Sequence, residues 1–202
     1  MSFLNTEVDL ITKSHPSKTR YPGRAGRRPR AVCLRPSYPN LSRMNSTDTT
    51  LTIRSLAGLE ACAGQELGLS AYHTITQAQI NQFAAATLDH QWIHTDAERA
   101  ATESPFQATI AHGYLTVALL PYLWQQIVTI ENLKMQVNYE IEQLRFNQAV
   151  TVNSRVRLRA SLLSVANLRG IAKARVGVTL EIEDVKKPAY TGVVTFLYHF
   201  LG

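Results

Sequence analysis

The chain has only two cysteines and no apolar run long enough to span a membrane. Cys33 and Cys62 lie far apart and form no CxxC pair, which argues against a disulfide framework and a cysteine-based zinc site. A transmembrane helix needs about 18 consecutive apolar residues, and no stretch reaches that length. This pattern favours a reduced, cytoplasmic protein without membrane association.

Acidic residues are scarce in residues 1–43, where nine lysines and arginines accompany only Glu7 and Asp9. The same segment holds five of the eight prolines and little apolar periodicity, so it cannot bury enough surface to offset the entropy of ordering. We expect a disordered, basic extension, with Met44 as the natural start of the protein. An organelle-targeting peptide and a nucleic-acid-binding arm are the alternative interpretations.

The remaining 159 residues carry 12 basic and 13 acidic groups, so their net charge is −1 although that of the whole chain is +6. A nucleic-acid surface requires clustered positive charge, which this part of the chain does not provide. We therefore expect one globular domain over residues 44–202 and no nucleic-acid partner.

Capping patterns predict the first helices. Ser55 opens a helix over residues 55–67, and Thr76-x-x-Gln79 is a capping box for a helix that carries Asp89 at its end. A second box, Thr95-x-x-Glu98, predicts another short helix. The segment DHQWIH between these helices is then a tight connection that presents its acidic, amide and second histidine side chains along one loop.

The second half of the chain combines one apolar helix with strands. Residues 113–128 are apolar nearly all round, which predicts a core helix bent at Pro121. Alternation predicts strands over residues 135–141, 143–146, 152–160, 173–182 and 191–200. The predicted fold class is α+β, with an antiparallel sheet wrapped around the helix.

Asp89 and His94 are five residues apart and can share one water, the carboxylate orienting it and the imidazole exchanging its proton. Gly113 offers an unobstructed N–H where the apolar helix begins, a position that stabilises developing negative charge. Taken alone, the two side chains are better explained as a helix-terminal Asp and a half-buried His, and only the combined motif favours catalysis. A metal site that includes His90 is disfavoured, because the capping box at Thr95 breaks any shared helix face.

The segments DHQWIHTD, SPF, TIAHGYLT, VNY, LRF and RVRLRA together resemble the MaoC-like dehydratases. The nearest resemblance is to the NodN-like branch, which is related to (R)-specific enoyl-CoA hydratases, and it covers roughly residues 53–200. It implies the hot-dog fold and acyl-CoA thioester substrates, and we expect neither a cofactor nor a metal. It also implies a homodimer or higher homo-oligomer that assembles through edge strands.

The resemblance assigns roles residue by residue. Asp89 and His94 match the pair that activates water for addition to a trans-2-enoyl thioester, and Gly113 matches the amide that holds the thioester oxygen. The candidate substrate-binding residues are Gln91, Ser104, Pro105, Phe106, His112 and Tyr114. Gln91 stands where many relatives have Asn. His112 is equally consistent with a structural cap, whereas Tyr114, Tyr122 and Trp124 have the spacing of core residues.

Departures from the family pattern fall in segments that would shape the acyl tunnel or the dimer interface: Gln107-Ala108, Glu140 and residues 147–149. The catalytic pair is retained, whereas substrate preference is left open. The alternatives are a hot-dog thioesterase and a non-catalytic acyl-CoA-binding subunit. The candidate ligands for the phosphates of an acyl carrier are Arg145, Arg155, Arg157 and Arg159.

Overall fold

The computed structural model describes residues 50–201, which form six helices and eight strands. In chain order these are β1 (Leu51–Ile53), α1 (Leu56–Ala61), β2 (Gln65–Leu69), β3 (His73–Thr74), α2 (Gln77–Thr87), α3 (Trp92–Thr95), α4 (Ala97–Glu103), α5 (Gly113–Ala118), α6 (Leu120–Gln125), β4 (Val128–Ile130), β5 (Leu133–Phe146), β6 (Arg155–Leu168), β7 (Ile171–Ile182) and β8 (Val185–Phe200). The expected extension over residues 1–43, the proposed start at Met44 and Cys33 lie outside the described residues.

The main sheet is antiparallel, with strand order β2-β6-β7-β8-β5 and with β3 also paired to β6. Val156, Leu158 and Ala160 of β6 are buried, which confirms the predicted half-buried strand. This strand starts at Arg155 rather than residue 152, because Asn153 takes a left-handed φ of 65° in the preceding turn. The two strands predicted over residues 135–146 are one continuous strand, β5, whose pairing with β8 contains register shifts.

The apolar helix forms as α5 and α6, separated only by Leu119. Pro121 lies in the first turn of α6, where its missing N–H removes no helical hydrogen bond. Trp124 is buried against Phe196 of β8, so the sheet packs on the helix as predicted and the α+β class is confirmed. The expectation that Tyr114 and Tyr122 are core residues is wrong, because both are mostly exposed. None of the helices within residues 50–201 has the length and apolar character to cross a membrane.

The caps of α1 and α2 are as predicted: the side chains of Ser55 and Thr76 each accept a backbone N–H at 3.2 Å. The helix that Ser55 opens ends at residue 61 instead of 67, and Gly64, with a left-handed φ of 79°, then leads the chain into β2. The predicted cap at Thr95 is wrong. Asp96 caps α4 by accepting the N–H of Arg99 at 3.0 Å, while Thr95 belongs to α3.

The three arginines of β6 are in ion pairs on the face of the sheet opposite its buried side chains. Arg155 pairs with Glu183, Arg157 with Glu181, and Arg159 with both Glu181 and Glu66. These three candidates for binding carrier phosphates therefore already have anionic partners. Arg145, on β5, has no ion pair within residues 50–201.

Candidate active site

Asp89 lies just beyond the end of α2. The helix ends at Thr87, and Leu88 turns the chain with a left-handed φ of 61° while its side chain is 81% exposed. A bulky residue rarely adopts this backbone conformation, and such strain is concentrated at functional sites. Asp89 therefore begins the connection to α3 with its carboxylate exposed to solvent.

His94 is held in one orientation by a backbone carbonyl. The side chain is 7% exposed, and its Nδ1 lies 2.7 Å from the oxygen of Ile110. Because a carbonyl can only accept, Nδ1 carries the hydrogen, and in the neutral ring Nε2 keeps a free lone pair. The prediction that Asp89 and His94 share one loop is wrong in detail, since His94 lies on the short helix α3.

The surroundings of His94 favour its neutral form. Burial lowers the pKa of His94, and the neighbouring His112 lowers it further. The hydrogen bond to Ile110 and the charge of Asp89 act in the opposite direction without cancelling the effect of burial. The pKa of His94 therefore lies below its ordinary value, so at neutral pH the imidazole can accept a proton.

His112 connects the two candidate catalytic residues. Its Nε2 donates to the backbone oxygen of Asp89 at 2.9 Å, and its ring stacks on that of His94 with centroids 3.8 Å apart. His112 occupies the N-cap position of α5, but its side chain makes no capping hydrogen bond. The alternative of a side-chain helix cap is therefore excluded, and direct contact with substrate stays a prediction.

The side chains of Asp89, His94 and His112 each offer a ligand atom, and these atoms lie within 4.8 Å of one another. One water can therefore lie between the carboxylate of Asp89 and the imidazole of His94 and contact both side chains. The lone pairs of an imidazole lie in the plane of its ring, and the stacked rings of His94 and His112 have nearly parallel planes. Their nitrogens therefore cannot both point at one metal ion at the usual distance of about 2.0–2.1 Å. The exposed His90, considered as a ligand from the sequence, is not part of this group.

Gly113 is the first residue of α5, so its N–H has no partner within the helix. This N–H makes no hydrogen bond to any of residues 50–201. The ring of Phe146 packs directly on the Gly113 Cα, and a Cβ at this position would lie 2.9 Å from the ring Cζ. This close approach gives position 113 a steric reason to be glycine.

The other candidate residues lie at varied distances from this centre. Ser104 directly follows α4 and is buried, and its hydroxyl accepts the N–H of Phe106 at 3.2 Å rather than bonding the Asp89–His94 pair. Pro105 and Phe106 are exposed, and Phe106 lines a separate cavity. Gln91 is exposed at the start of α3. Tyr114 is 74% exposed and meets Phe146 edge to face.

Three residues that support the site were not identified from the sequence. Ile110 provides the carbonyl that orients His94, and Phe146 packs on Gly113. The amide of Gln77 donates to the carbonyl of His94 at 2.8 Å and also accepts from the hydroxyl of Thr109. Phe146 belongs to the LRF segment, so the sequence motif already pointed to this part of the chain. The carbonyl of Ile110 could not have been found in this way, because a backbone group does not depend on the type of side chain.

An apolar cavity of about 530 Å³ lies between α5, α6 and β5. Its lining includes Val117, Leu120, Pro121, Ile141 and Phe196. Val117 is four residues beyond Gly113 on α5, roughly 6 Å along the helix axis. The cavity is therefore about one helical turn from the Gly113 amide.

Comparison with known proteins gives a consistent set of relatives. Residues 59–183 match the family described as "MaoC like domain". The 3-hydroxyacyl-thioester dehydratase Z of Mycobacterium tuberculosis is 49% identical over 139 residues, which cover 68% of this chain and 91% of the relative. Nodulation protein N of Rhizobium meliloti is 46% identical over 140 residues, which cover 68% and 86%.

A solved structure shares the architecture. The R-hydratase PhaJ1 from Pseudomonas aeruginosa, in its unliganded form, superposes with a TM-score of 0.59 at 22% identity, covering 73% of this chain and 86% of that one. Such low identity informs on the fold alone, and the hot-dog fold expected from the sequence is confirmed.

Proposed function

This chain belongs to the MaoC-like domain family, and we propose that it hydrates trans-2-enoyl-CoA thioesters to (R)-3-hydroxyacyl-CoA and catalyses the reverse dehydration. The observation that carries the proposal is the juxtaposition of the Asp89 carboxylate with the buried imidazole of His94, whose Nδ1 is bound to the Ile110 carbonyl. The 3-hydroxyacyl-thioester dehydratase that is 49% identical supports this reaction class. The (R) configuration rests on the resemblance of the motifs to (R)-specific hydratases.

In the proposed reaction, the Asp89 carboxylate accepts a hydrogen bond from water and orients it. His94 Nε2 removes a proton as the water oxygen bonds to the β-carbon, and the imidazolium so formed returns that proton to the α-carbon as the double bond is consumed. The hydroxyl and the hydrogen together account for one water added across the bond. A neutral His94 is required at the start, which agrees with the direction of its pKa shift.

Attack at the β-carbon moves negative charge onto the thioester oxygen. We assign the N–H of Gly113 as the donor that holds this oxygen, because it lies at a helix start and is not used within the described part of the chain. The acyl chain would then extend into the apolar cavity beside Val117 and Leu120. Apolar walls suit a hydrocarbon chain and exclude water from the reacting carbons.

The proposal includes assembly as a homodimer or higher homo-oligomer through β5. This strand is 14 residues long and pairs only with β8, so its outer edge is open within the described residues. Met135, Val137, Tyr139 and Ile141 of β5 are exposed. A long apolar edge strand is a template for pairing with another chain, and a second copy of β5 would satisfy it. A cytoplasmic location completes the proposal and rests on the sparse, isolated cysteines.

The reaction is tested by mixing the full-length protein with crotonyl-CoA and following the conjugated enoyl absorbance, free thiol and product chirality together. The proposal predicts loss of absorbance, no thiol release and a product oxidised by an (R)-specific 3-hydroxyacyl dehydrogenase. Longer and branched enoyl-CoA esters are measured in parallel, because the acyl preference is open.

Each alternative has its own outcome in this assay. Thiol release without hydration would mean a thioesterase. Acyl-CoA binding by calorimetry, without turnover of any ester tested, would mean a binding subunit. Either result contradicts the proposed hydratase.

A further inference from the structure

We infer that His112 is a positioning residue, which fixes the Asp89 loop through its Nε2–H and the plane of the His94 ring through stacking. The inference rests on the proposed function, because it assigns His112 a task in that same site. His112 acts through these two residues and takes no proton from substrate in this account.

The first contact is the hydrogen bond from His112 to the backbone of Asp89. Its length is 2.9 Å, and because the carbonyl only accepts, Nε2 must carry the hydrogen. Asp89 directly follows Leu88, whose left-handed φ of 61° is unfavourable for a bulky residue. The bond thus ties a strained loop to the start of α5, where Gly113 lies.

The second contact is the stack between the two histidine rings. Their centroids are 3.8 Å apart and their planes differ by 25°. Phe83 of α2 lies at 5.1 Å from the His112 ring centroid, tilted by 52°. His112 is therefore enclosed between helix α2 and the catalytic imidazole, and only 2% of it is exposed. Together with the Ile110 carbonyl, this packing leaves His94 Nε2 one direction in which to point.

The Nδ1 of His112 is buried and has no hydrogen-bond partner within the described part of the chain. An apolar ring would fill the same space without leaving a buried nitrogen unpaired, and unpaired buried polar atoms are unfavourable. A histidine at this position is explained by the one nitrogen that is used, on Asp89. The ionisable groups close to the ring are Asp89, whose Oδ2 lies 3.9 Å from Nε2, and His94 itself.

Two substitutions separate these contacts. His112→Phe keeps an aromatic ring on His94 but cannot donate to Asp89, whereas His112→Gln keeps a donor near the Nε2 position and loses the ring. His73→Gln is the matched control, because His73 also makes a hydrogen bond through Nε2, here to the side chain of Gln79, but lies outside the site and against Tyr122.

For His112→Phe we expect kcat with crotonyl-CoA to fall on the order of 10²-fold with KM nearly unchanged, the range expected when catalytic groups are misplaced by about 1 Å. His112→Gln should retain more activity than His112→Phe, and His73→Gln should match the wild type. In an NMR titration of the ring protons, the midpoint of His94 should move upward in both His112 variants, because the neighbouring imidazole no longer opposes its protonation. Unchanged kcat and an unchanged His94 midpoint in both variants would overturn the inference.

Hydrogen exchange distinguishes this inference from failure of the proposed function. The amides of His94 and Asp96, which donate to the carbonyls of Gln91 and Trp92 just beyond the Asp89 loop, should lose protection in His112→Phe and keep it in His112→Gln, whether or not crotonyl-CoA is a substrate. Equal loss of protection and of melting temperature in both variants would instead indicate a merely structural residue and overturn the positioning role. If the wild type fails to hydrate any enoyl-CoA while this exchange pattern holds, the proposed function has failed and the positioning role has not.

Discussion

The ring of Phe146 lies against the Cα of Gly113 so closely that a Cβ there would be 2.9 Å from Cζ and 3.0 Å from Cε1. Gly113 begins α5, and Phe146 ends β5. The contact therefore sets the distance between the start of the helix and the end of the edge strand.

Gly113→Ala should force the Phe146 ring aside and shift the helix start. We expect the free energy of unfolding to fall by roughly 1–3 kcal/mol, the usual cost of overpacking, and hydration to slow by at least about tenfold. Chemical denaturation and kcat measure the two effects. Adding Phe146→Ala should recover part of the stability, since it removes the clash. If the two substitutions changed the free energy of unfolding in a strictly additive way, the Phe146 ring and the start of α5 would not constrain each other.

As the pH is lowered, the rate of hydration should begin to fall at a lower pH than it would if the base were an unperturbed histidine. Burial lowers the pKa of His94, so its neutral form persists below about pH 6.5, the ordinary midpoint of histidine. The acid limb of the kcat/KM profile should therefore lie below that value. An acid limb at or above it would contradict the assignment of His94 as the base.

The same pKa shift predicts a dependence of stability on pH. The unfolded chain binds a proton to His94 at higher pH than the folded chain does, so stability decreases as pH falls from about 6.5 toward the folded pKa. Urea denaturation at successive pH values should show this loss in the wild type and a smaller one in His94→Gln.

Glu181 should stabilise the outer face of the sheet. Its carboxylate accepts hydrogen bonds of 2.7 Å from both Arg157 and Arg159, whereas Glu183 pairs only with the more exposed Arg155. Glu181→Gln should lower the free energy of unfolding by about 1 kcal/mol at pH 7, and Glu183→Gln by less.

The contribution of Glu181 should also depend on pH. Burial raises the pKa of Glu181, but the hydrogen bonds from Arg159 and Arg157 outweigh burial and hold it below its ordinary value. The stabilisation is therefore present above the unfolded pKa and is lost as pH falls through the folded one. A difference between wild type and Glu181→Gln that persists at acid pH would refute this explanation.

Assembly should depend on the apolar edge strand. Ile141→Lys places a charge on β5, which disfavours strand pairing between copies, so sedimentation velocity should show a shift toward monomer. Leu168→Lys is the matched control, because Leu168 is also exposed and apolar but ends β6. A similar response to both substitutions would indicate that β5 is not the interface.

The sequence alone predicted those helices and strands that are determined by residues close together in the chain. Ser55 and Thr76 cap their helices through hydrogen bonds three residues away, and alternation located β6 and β7. Thr95 and Asp96 are adjacent and both are good caps, so the choice depended on where α3 ends.

The orientation of the site depends on contacts that no local pattern contains. The tautomer of His94 is set by a carbonyl 16 residues away, and the Asp89 backbone is held by a ring 23 residues away. Tyr114 has the periodicity of a core residue, yet it lies at the exposed start of α5. The motifs therefore identified Asp89, His94 and Gly113 as candidates, whereas their relative placement required the fold.

The most direct test of the catalytic assignment is the initial rate of crotonyl-CoA hydration by full-length wild type and Asp89→Asn at pH 7.5, with far-ultraviolet circular dichroism confirming the fold of both. Asn is nearly isosteric but lacks the charge that orients the water, so the account predicts a loss of at least ~10²-fold, as for removal of a general acid or base. His94→Ala should show a loss of the same order. Wild-type rates in both folded variants would contradict the assignment of Asp89 and His94 as the groups that activate water.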